Sequence, residues 1–306
     1  HMRIKIVFFG THDFGAAMLS ALIENKNYDI VSVITQPDRP VGREHKLQKS
    51  AVKILAEQHG LDIFQPESLK NWTLDIGVWD LAVVCQYGLI IPKTILGLPR
   101  FGFINIHTSL LPKYRGASPI QTAILNGETE TGVTIMLMDE RMDHGKILSQ
   151  AKIKILPDDT YLDLQEKMEP VARELLLKTL PEYLEGKIKS AAQDENHATF
   201  CKIFTRDDGR IDWKKSAAEI YNQYRGLSPW PGIWTMWGDK RLKLLEIKVS
   251  DLKIPSGEIK INDKKIFVGT KNGAVEILLL QLEGKKEQTA ADFISGYSTF
   301  DSAILT

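Results

Sequence analysis

Short apolar runs alternate with helical patterns through the first half of the chain. The run RIKIVFF at residues 3–9 stops at Gly10, and residues 14–22 then follow the helical period. Further apolar runs lie at 30–35, 63–64, 81–85, 102–107 and 132–138, with helical segments at 52–59, 120–125, 161–168 and 171–184. Continuous apolar strands that alternate with helices are typical of a parallel sheet covered on both faces. The pattern predicts an α/β fold over residues 2–193, with a Rossmann-like, mostly parallel sheet.

The pattern changes near residue 194. Residues 194–210 mix Asn, Thr, Arg, Asp and Gly, which predicts a linker. Beyond the linker a helix is expected at 216–225, followed by short strands at 242–249, 257–261, 266–270 and 274–281. Several short strands separated by turn residues are typical of a small β-barrel. We therefore expect a second, OB-like domain over residues 211–306.

Composition agrees with a two-domain globular protein and says little about partners. The chain has 306 residues, of which 43% are hydrophobic and 25% charged, with 39 basic residues against 39 acidic ones. A single core rarely grows past roughly 250 residues, so two domains are expected. Between Lys214 and Lys286 there are 14 Lys and Arg against 8 Asp and Glu. This excess suits a nucleic-acid-binding face and equally suits a solvated surface, so charge alone leaves both readings open.

Several cofactor classes receive no support from the sequence. Cys85 and Cys201 are the only cysteines and lie 116 positions apart, too few for a disulfide framework or a four-cysteine zinc site, so we expect no metal. The turn from Gly10 to Gly15 has two of the three glycines of a dinucleotide fingerprint at the wrong spacing, so we expect no NAD. No window of ~18 apolar residues occurs, and the chain is expected to be cytoplasmic.

The densest group of candidate catalytic residues lies in the segment FINIHTSLLPKYRGASPI at residues 103–120. Asn105 and His107 are two positions apart on a strand, so their side chains point to the same face. Ligands of open α/β sheets bind at the carboxyl ends of the strands, where an amide and an imidazole can hold an oxyanion and deliver a proton. A second segment, MDERMDHG at 138–145, brings Asp143 as a partner for the imidazole. Each residue alone has a structural explanation, and the hypothesis depends on their combination.

The order Asn105-Ile-His107, followed by SLLP at 109–112 and later by Met142-Asp143, resembles the folate-dependent formyltransferase family. The resemblance implies that Asn105, His107 and Asp143 are the catalytic set. It also implies that the SLLP segment and the loop QYGLIIP at 86–92 help to bind the formyl donor, 10-formyltetrahydrofolate. The implied donor contacts are Gln86, Tyr87, Gly88, Leu89, Ile90, Ser109, Leu110, Leu111, Pro112 and Asp139.

Further segments are similar to those members of the family that formylate methionyl initiator tRNA for translation initiation. They lie at 9–14, 35–43, 229–232 and 283–286, so the similarity covers essentially the whole chain. The resemblance implies a monomer that transfers the formyl group to the α-amino group of the tRNA-borne methionine. The implied tRNA contacts are Arg39, Arg43, Lys46, Lys285 and Lys286.

Three alternatives stay open at this point. A formyltetrahydrofolate hydrolase would share the catalytic set and use water as acceptor, but such enzymes carry a regulatory domain ahead of a core that here begins at Arg3. A formyltransferase for an amino sugar nucleotide or for glycinamide ribonucleotide is disfavoured by the loop around Arg43 and by the basic C-terminal domain. A non-catalytic RNA-binding module is disfavoured by retention of all three catalytic residues.

The tryptophans at 230, 234 and 237 offer stacking surfaces but are expected in the core.

Overall fold

A computed structural model describes residues 3–41, 46–73 and 75–306. The chain divides into two compact units. The N-terminal unit comprises His1–Pro119, Glu130–Lys154 and Gln165–Cys201, and the C-terminal unit comprises Ile120–Thr129, Ile155–Leu164 and Lys202–Thr306. The domain limits and the linker at 194–210 remain predictions.

The described residues of the first part of the chain form ten strands and five helices. In chain order they are β1 Ile4–Gly10, α1 Asp13–Glu24, β2 Tyr28–Ile34, β3 Arg39–Val41, β4 Lys46–Gln48, α2 Ala51–Gln58, β5 Ile63–Phe64, β6 Leu81–Cys85, α3 Lys93–Leu96, β7 Phe103–His107, β8 Arg115–Gly116, α4 Pro119–Leu125, β9 Glu130–Leu137, β10 Ile147–Lys154 and α5 Tyr161–Leu184. Seven strands form one sheet in the order β10-β9-β7-β6-β1-β2-β5. The five from β7 to β5 are parallel, β9 is antiparallel to β7, and β10 is antiparallel to β9. The predicted mostly parallel α/β sheet is confirmed.

The central strands form because their residues are apolar on both faces. Ile6 through Phe9 in β1 are fully buried, and all five residues of β6 are buried. The first turn of α1 lies close to the end of β6, because a Cβ atom at Gly15 would meet the carbonyl oxygen of Cys85. The Ser50 hydroxyl accepts a hydrogen bond from the Lys53 N–H at 3.0 Å and caps α2. Because β6 and β7 are neighbouring parallel strands, their carboxyl ends lie at the same edge of the sheet. The candidate site lies at this edge.

One local prediction differs from the structure. The expected break between residues 168 and 171 is wrong, since α5 continues through Pro170. A proline inside a helix removes one backbone hydrogen bond, but the side chains at 168, 172, 176 and 180, which recur every four residues, are fully buried. Their packing outweighs the lost bond. The loop expected around Arg43 is flanked by strands β3 and β4, which pair antiparallel.

The remaining elements are mostly antiparallel strands. They are β11 Phe200–Cys201, α6 Ala217–Leu227, β12 Ile233–Trp237, β13 Lys240–Ser250, β14 Ile259–Asn262, β15 Lys265–Gly269, β16 Ala274–Leu282, β17 Glu287–Thr289 and α7 Ala290–Gly296, with short 3-10 helices at Glu195–His197, Arg206–Gly209 and Phe300–Ser302. β11 pairs with β8 in the N-terminal unit. In the C-terminal unit the sheet order is β12-β13-β16-β15-β14, with β17 beside β16. An antiparallel sheet domain thus follows the α/β domain, as the fold-class prediction required.

The C-terminal unit has its own apolar core. Its members include Ile220, Leu244 and Phe293, and the Trp237 ring packs edge-on against Phe293. Trp234 is buried, as expected, whereas Trp230 is 60% exposed, so the expectation that it lies in the core is wrong. Within the described part of the chain, no helix has the length and apolar character needed to cross a membrane.

Candidate active site

The three predicted catalytic side chains meet at the carboxyl end of β7. The Asn105 Nδ2 atom lies 3.3 Å from Asp143 Oδ1 and donates a hydrogen bond to it. His107 Nδ1 lies 3.7 Å from the same oxygen. The side chains of His107 and Asp143 are 7% and 14% exposed. An amide, an imidazole and a carboxylate that are distant in sequence therefore share one small, mostly buried volume.

The hydrogen bonds of His107 fix which nitrogen carries its proton. His107 Nε2 is 2.9 Å from the carbonyl oxygen of Tyr114. A carbonyl oxygen only accepts, so Nε2 must be the N–H donor. In the neutral imidazole the nitrogen without a proton is consequently Nδ1, which faces the Asp143 carboxylate.

Asp143 is held both at its carboxylate and at its backbone carbonyl group. Its Oδ2 atom accepts a hydrogen bond from the Gly116 N–H at 2.8 Å. Its own carbonyl oxygen accepts one from the Gln193 side chain, also at 2.8 Å. The residue has a φ of 50°, in the left-handed region that only a few per cent of non-glycine residues adopt. The surrounding bonds keep it in that conformation.

Behind the Asp143 loop lies a buried arginine that sequence reasoning missed. Arg115 is 2% exposed, and its Nε and Nη2 atoms donate to Gln193 Oε1 at 3.0 and 2.9 Å. Its Nη1 and Nη2 atoms donate to the two carboxylate oxygens of Glu195 at 3.1 and 2.7 Å. The hydrogen bond from Arg115 is the main cause that lowers the pKa of the Glu195 carboxyl. The one sequence signal was an arginine inside the YRG tripeptide after the SLLP segment.

The loop after β6 is only partly available to a ligand. The Tyr87 side chain is 2% exposed and packs edge-on against Phe9, so it belongs to the core. The carbonyl oxygen of Tyr87 accepts hydrogen bonds from Thr11 Oγ1 at 3.0 Å and Gln36 Nε2 at 2.8 Å. Gln86 and Leu89 are half-buried, Gly88 is exposed, and the Ile90 side chain is 88% exposed. The residues around Tyr87 are therefore accessible to a ligand, whereas the Tyr87 ring is buried.

The SLLP segment is braced against β9 and β10. The buried Ser109 hydroxyl donates to the Lys113 carbonyl oxygen at 2.6 Å. The Thr134 hydroxyl donates to the Ser109 carbonyl oxygen at 2.6 Å and accepts from the Leu111 N–H at 3.1 Å. Leu111 is buried, whereas Leu110 and Pro112 are half-buried.

Asp139 lies in the same loop as Asp143 and is exposed. Its carboxylate accepts from the Arg141 N–H at 2.9 Å and lies 2.6 Å from His144 Nδ1. The Arg141 guanidinium also contacts His144 Nε2. The Asp139 carboxylate therefore forms its hydrogen bonds within its own loop. Within the residues that the structure describes, no group of three or more His, Cys, Asp or Glu side chains is arranged to hold a metal.

The predicted tRNA contacts belong to two separate segments. Arg39 is exposed and donates to Gln36 Oε1 at 3.1 Å, and Lys46 lies in β4. Arg43 lies outside the described residues. Lys285 and Lys286 are exposed between β16 and β17.

With this geometry established, the family of the chain follows from sequence comparison. Residues 2–180 match the family model described as formyl transferase, and residues 203–298 match the model of the formyl transferase C-terminal domain. The chain belongs to the formyl transferase family.

Curated relatives narrow the assignment within the family. The methionyl-tRNA formyltransferase of Staphylococcus aureus strain MW2 is 42% identical over 301 residues, which is 95% of this chain and 96% of the relative. The same protein from strain JH1 matches with equal identity and coverage. Identity at this level over nearly the full length assigns the chain to the methionyl-tRNA formyltransferase group.

Solved structures share the fold at lower identity. WlaRD, a sugar 3N-formyl transferase, superposes with a TM-score of 0.68 at 23% identity, covering 94% of this chain and 100% of that one. An N-formyltransferase from Helicobacter canadensis gives a TM-score of 0.66 at 20% identity, covering 93% of this chain and 100% of the other. HypX from Aquifex aeolicus gives 0.64 at 18% identity over 96% of this chain and 48% of its own. At these identities the likeness describes the fold.

Proposed function

We propose that this protein transfers the formyl group of 10-formyltetrahydrofolate to the α-amino group of methionyl initiator tRNA. The product is N-formylmethionyl-tRNA, which initiates translation, and the protein acts in the cytoplasm as a monomer. The observation that carries the proposal is the cluster of Asn105, His107 and Asp143 in a chain 42% identical to curated methionyl-tRNA formyltransferases over 95% of its length.

The residues around the cluster fit a folate donor. Such a donor has a flat, largely apolar ring system and supplies a formyl group on a nitrogen atom. The exposed Ile90 side chain and half-buried Leu89 give apolar surface in the loop that follows β6. Pockets for small molecules typically combine such apolar surface with a few well-placed polar groups. Two proteins of the same fold, the N-formyltransferase from Helicobacter canadensis and HypX, were solved in complex with folinic acid and tetrahydrofolic acid, respectively, which supports a donor of this class.

Asn105 stabilises the charge that develops during transfer. Attack of the methionyl amine on the formyl carbon moves an electron pair onto the formyl oxygen. One N–H of the Asn105 amide is used by Asp143, which orients the amide and leaves the second N–H for that oxygen. A donor aimed at a developing oxyanion contributes about 3 to 4 kcal/mol to catalysis.

His107 and Asp143 handle the proton. The amine loses a proton as its new bond to carbon forms, and the folate nitrogen needs one as its bond to carbon breaks. Because Nε2 is committed to the Tyr114 carbonyl oxygen, His107 exchanges this proton through Nδ1. Asp143, 3.7 Å from Nδ1, stabilises the cationic imidazole that forms in between. No acyl-enzyme is expected, since Cys85 is fully buried and the Ser109 hydroxyl is committed to a carbonyl oxygen.

The acceptor is proposed to be held by basic residues of two segments of the chain. Arg39 and Lys46 lie in β3 and β4, with Arg43 between them in the sequence, and exposed Lys285 and Lys286 lie between β16 and β17. Arginine offers planar, bidentate contact to phosphates and bases, which favours Arg43 as the main anchor.

A single acceptor assay tests the proposal. The purified protein is mixed with labelled 10-formyltetrahydrofolate and with methionyl-tRNA, free methionine, an amino sugar nucleotide, or no acceptor. Formyl-methionyl-tRNA as the sole formylated product is the expected result. Release of formate without an acceptor would indicate a hydrolase, and formylation of the sugar nucleotide alone would contradict the proposed acceptor.

A further inference from the structure

We propose that Gln193 is a positioning residue that holds the Asp143 carboxylate against Asn105 and His107. The inference rests on the proposed function of that carboxylate and adds a residue that neither the sequence motifs nor the family resemblance indicated. Gln193 touches none of the three catalytic side chains directly. It acts on the backbone that carries one of them.

The Gln193 amide fastens the Asp143 loop at two points. Its Nε2 atom donates to the carbonyl oxygens of Asp143 and Gly145, each at 2.8 Å. These carbonyl groups flank residue 144, so one amide spans the turn that contains the left-handed backbone of Asp143. Both of its N–H groups are used, one for each carbonyl.

Arg115 fixes the orientation of this amide. Two guanidinium N–H groups point at Gln193 Oε1, at 3.0 and 2.9 Å. A guanidinium group has donors and no acceptor, so the oxygen of the amide must face Arg115 and its nitrogen must face the loop. Arg115 is 2% exposed, and its contact with Glu195 holds the far side of the guanidinium. The Gln193 side chain therefore has one stable orientation.

The residues on either side of Arg115 contact the other members of the site. The Tyr114 carbonyl oxygen binds His107 Nε2, and the Gly116 N–H binds Asp143 Oδ2. Arg115 lies between these two residues and carries Gln193. A closed ring of contacts thus runs from Gly116 to the Asp143 carboxylate, from the Asp143 carbonyl to Gln193, and from Gln193 back to Arg115. Opening the ring at Gln193 removes the hydrogen bond that fixes the Asp143 backbone, and only the bonds from Gly116 and Asn105 then hold the carboxylate.

Two variants separate positioning from folding. Gln193→Glu keeps an oxygen for Arg115 but removes both donors to the Asp143 loop, and Gln193→Met removes all the bonds at similar size. Gln223 provides a matched control, because its Nε2 atom donates to the carbonyl oxygens of Asp208 and Arg210 at 2.8 and 3.1 Å in the C-terminal unit. Gln223→Met loses the same pair of bonds away from the catalytic cluster.

In formyl transfer, both Gln193 variants are expected to lower kcat about tenfold or more and to leave KM for donor and acceptor within about twofold. In an Asp143→Asn background the same substitutions should change kcat by less than about threefold, because the charge that the Gln193 side chain positions is absent. Gln223→Met should lower thermal stability and leave kcat unchanged. Equal losses of kcat in the wild-type and Asp143→Asn backgrounds would overturn the proposal.

A second measurement does not depend on activity. Amide hydrogen exchange at Gly116, followed by NMR, reports on the bond to the Asp143 carboxylate. Both Gln193 variants should speed this exchange about tenfold or more, and Gln223→Met should not. Unchanged exchange in folded Gln193 variants would overturn the positioning role. Absence of formyl transfer by the wild-type protein would refute the proposed function, and the exchange result would still decide the role of Gln193.

Discussion

Replacing Asp143 by asparagine removes one charge from the centre of the site and changes its shape little. The carboxylate accepts two hydrogen bonds, at Oδ2 from Gly116 and at Oδ1 from Asn105, and Oδ1 also faces His107 Nδ1. An asparagine has a single oxygen. If this oxygen takes the Gly116 N–H, the NH₂ group is directed at the Asn105 amide, where it meets another donor, and no negative charge faces His107.

The size of the effect follows from the distance between the two charges. At 3.7 Å and an effective dielectric constant of roughly 20, a carboxylate and an imidazolium attract each other by about 4 kcal/mol. This attraction exists only when His107 is cationic, so it acts on the step in which the proton moves. Its loss corresponds to a decrease in kcat of roughly 10³-fold.

Rapid-quench measurement of formyl transfer under saturating substrates tests this value. Asp80→Asn is the matched control, since the Asp80 carboxylate also accepts a backbone N–H, from Lys5 at 2.9 Å, but precedes β6 at the opposite edge of the sheet. The control should retain wild-type kcat. A decrease of less than tenfold in Asp143→Asn, with Asp80→Asn unaffected, would refute the electrostatic role of Asp143.

Three further predictions follow from burial and charge. Burial raises the pKa of the Cys85 thiol, and because the thiolate is the reactive form, iodoacetamide at pH 8 should label Cys85 only after unfolding; labelling of the native protein would contradict its placement. The Tyr87 hydroxyl is buried with no hydrogen-bond partner in the described part of the chain, so Tyr87→Phe should raise the free energy of unfolding in urea by about 1 kcal/mol, and a decrease would reveal a missing partner. The double variant Lys285→Ala/Lys286→Ala should weaken tRNA binding and reduce the slope of log K against log salt by about two; an unchanged slope would remove this turn from the tRNA-binding surface.

The framework of the site could be predicted because it depends on local pattern. The alternation of a strand directs Asn105 and His107 to one face, and the apolar runs at 81–85 and 102–107 predict strands of a mostly parallel sheet. That β6 and β7 are neighbours is seen only in the structure. Asp143 was found through the spacing of a family motif. That Asp143 contacts Asn105 and His107 is seen only in the folded structure.

What sequence reasoning missed depends on contacts between distant residues. Gln193 carries no chemical signature, and its role arises from carbonyl groups about 50 positions earlier and from the buried Arg115. Tyr87 was assigned to ligand binding by its motif, but the packing of its ring against Phe9 is a tertiary property. The break expected near Pro170 failed for the same reason, since a fully buried helical stripe outweighs the local cost of a proline.

The most direct test of the catalytic cluster is single-turnover formyl transfer by His107→Ala, with binding of labelled 10-formyltetrahydrofolate measured in parallel. The proposed mechanism assigns the proton transfer to the imidazole, so formyl transfer should decrease by at least about 10²-fold, and donor affinity should stay within about threefold of wild type. Near-normal turnover in this variant would contradict the account, because the proton would then travel without the nitrogen that faces Asp143.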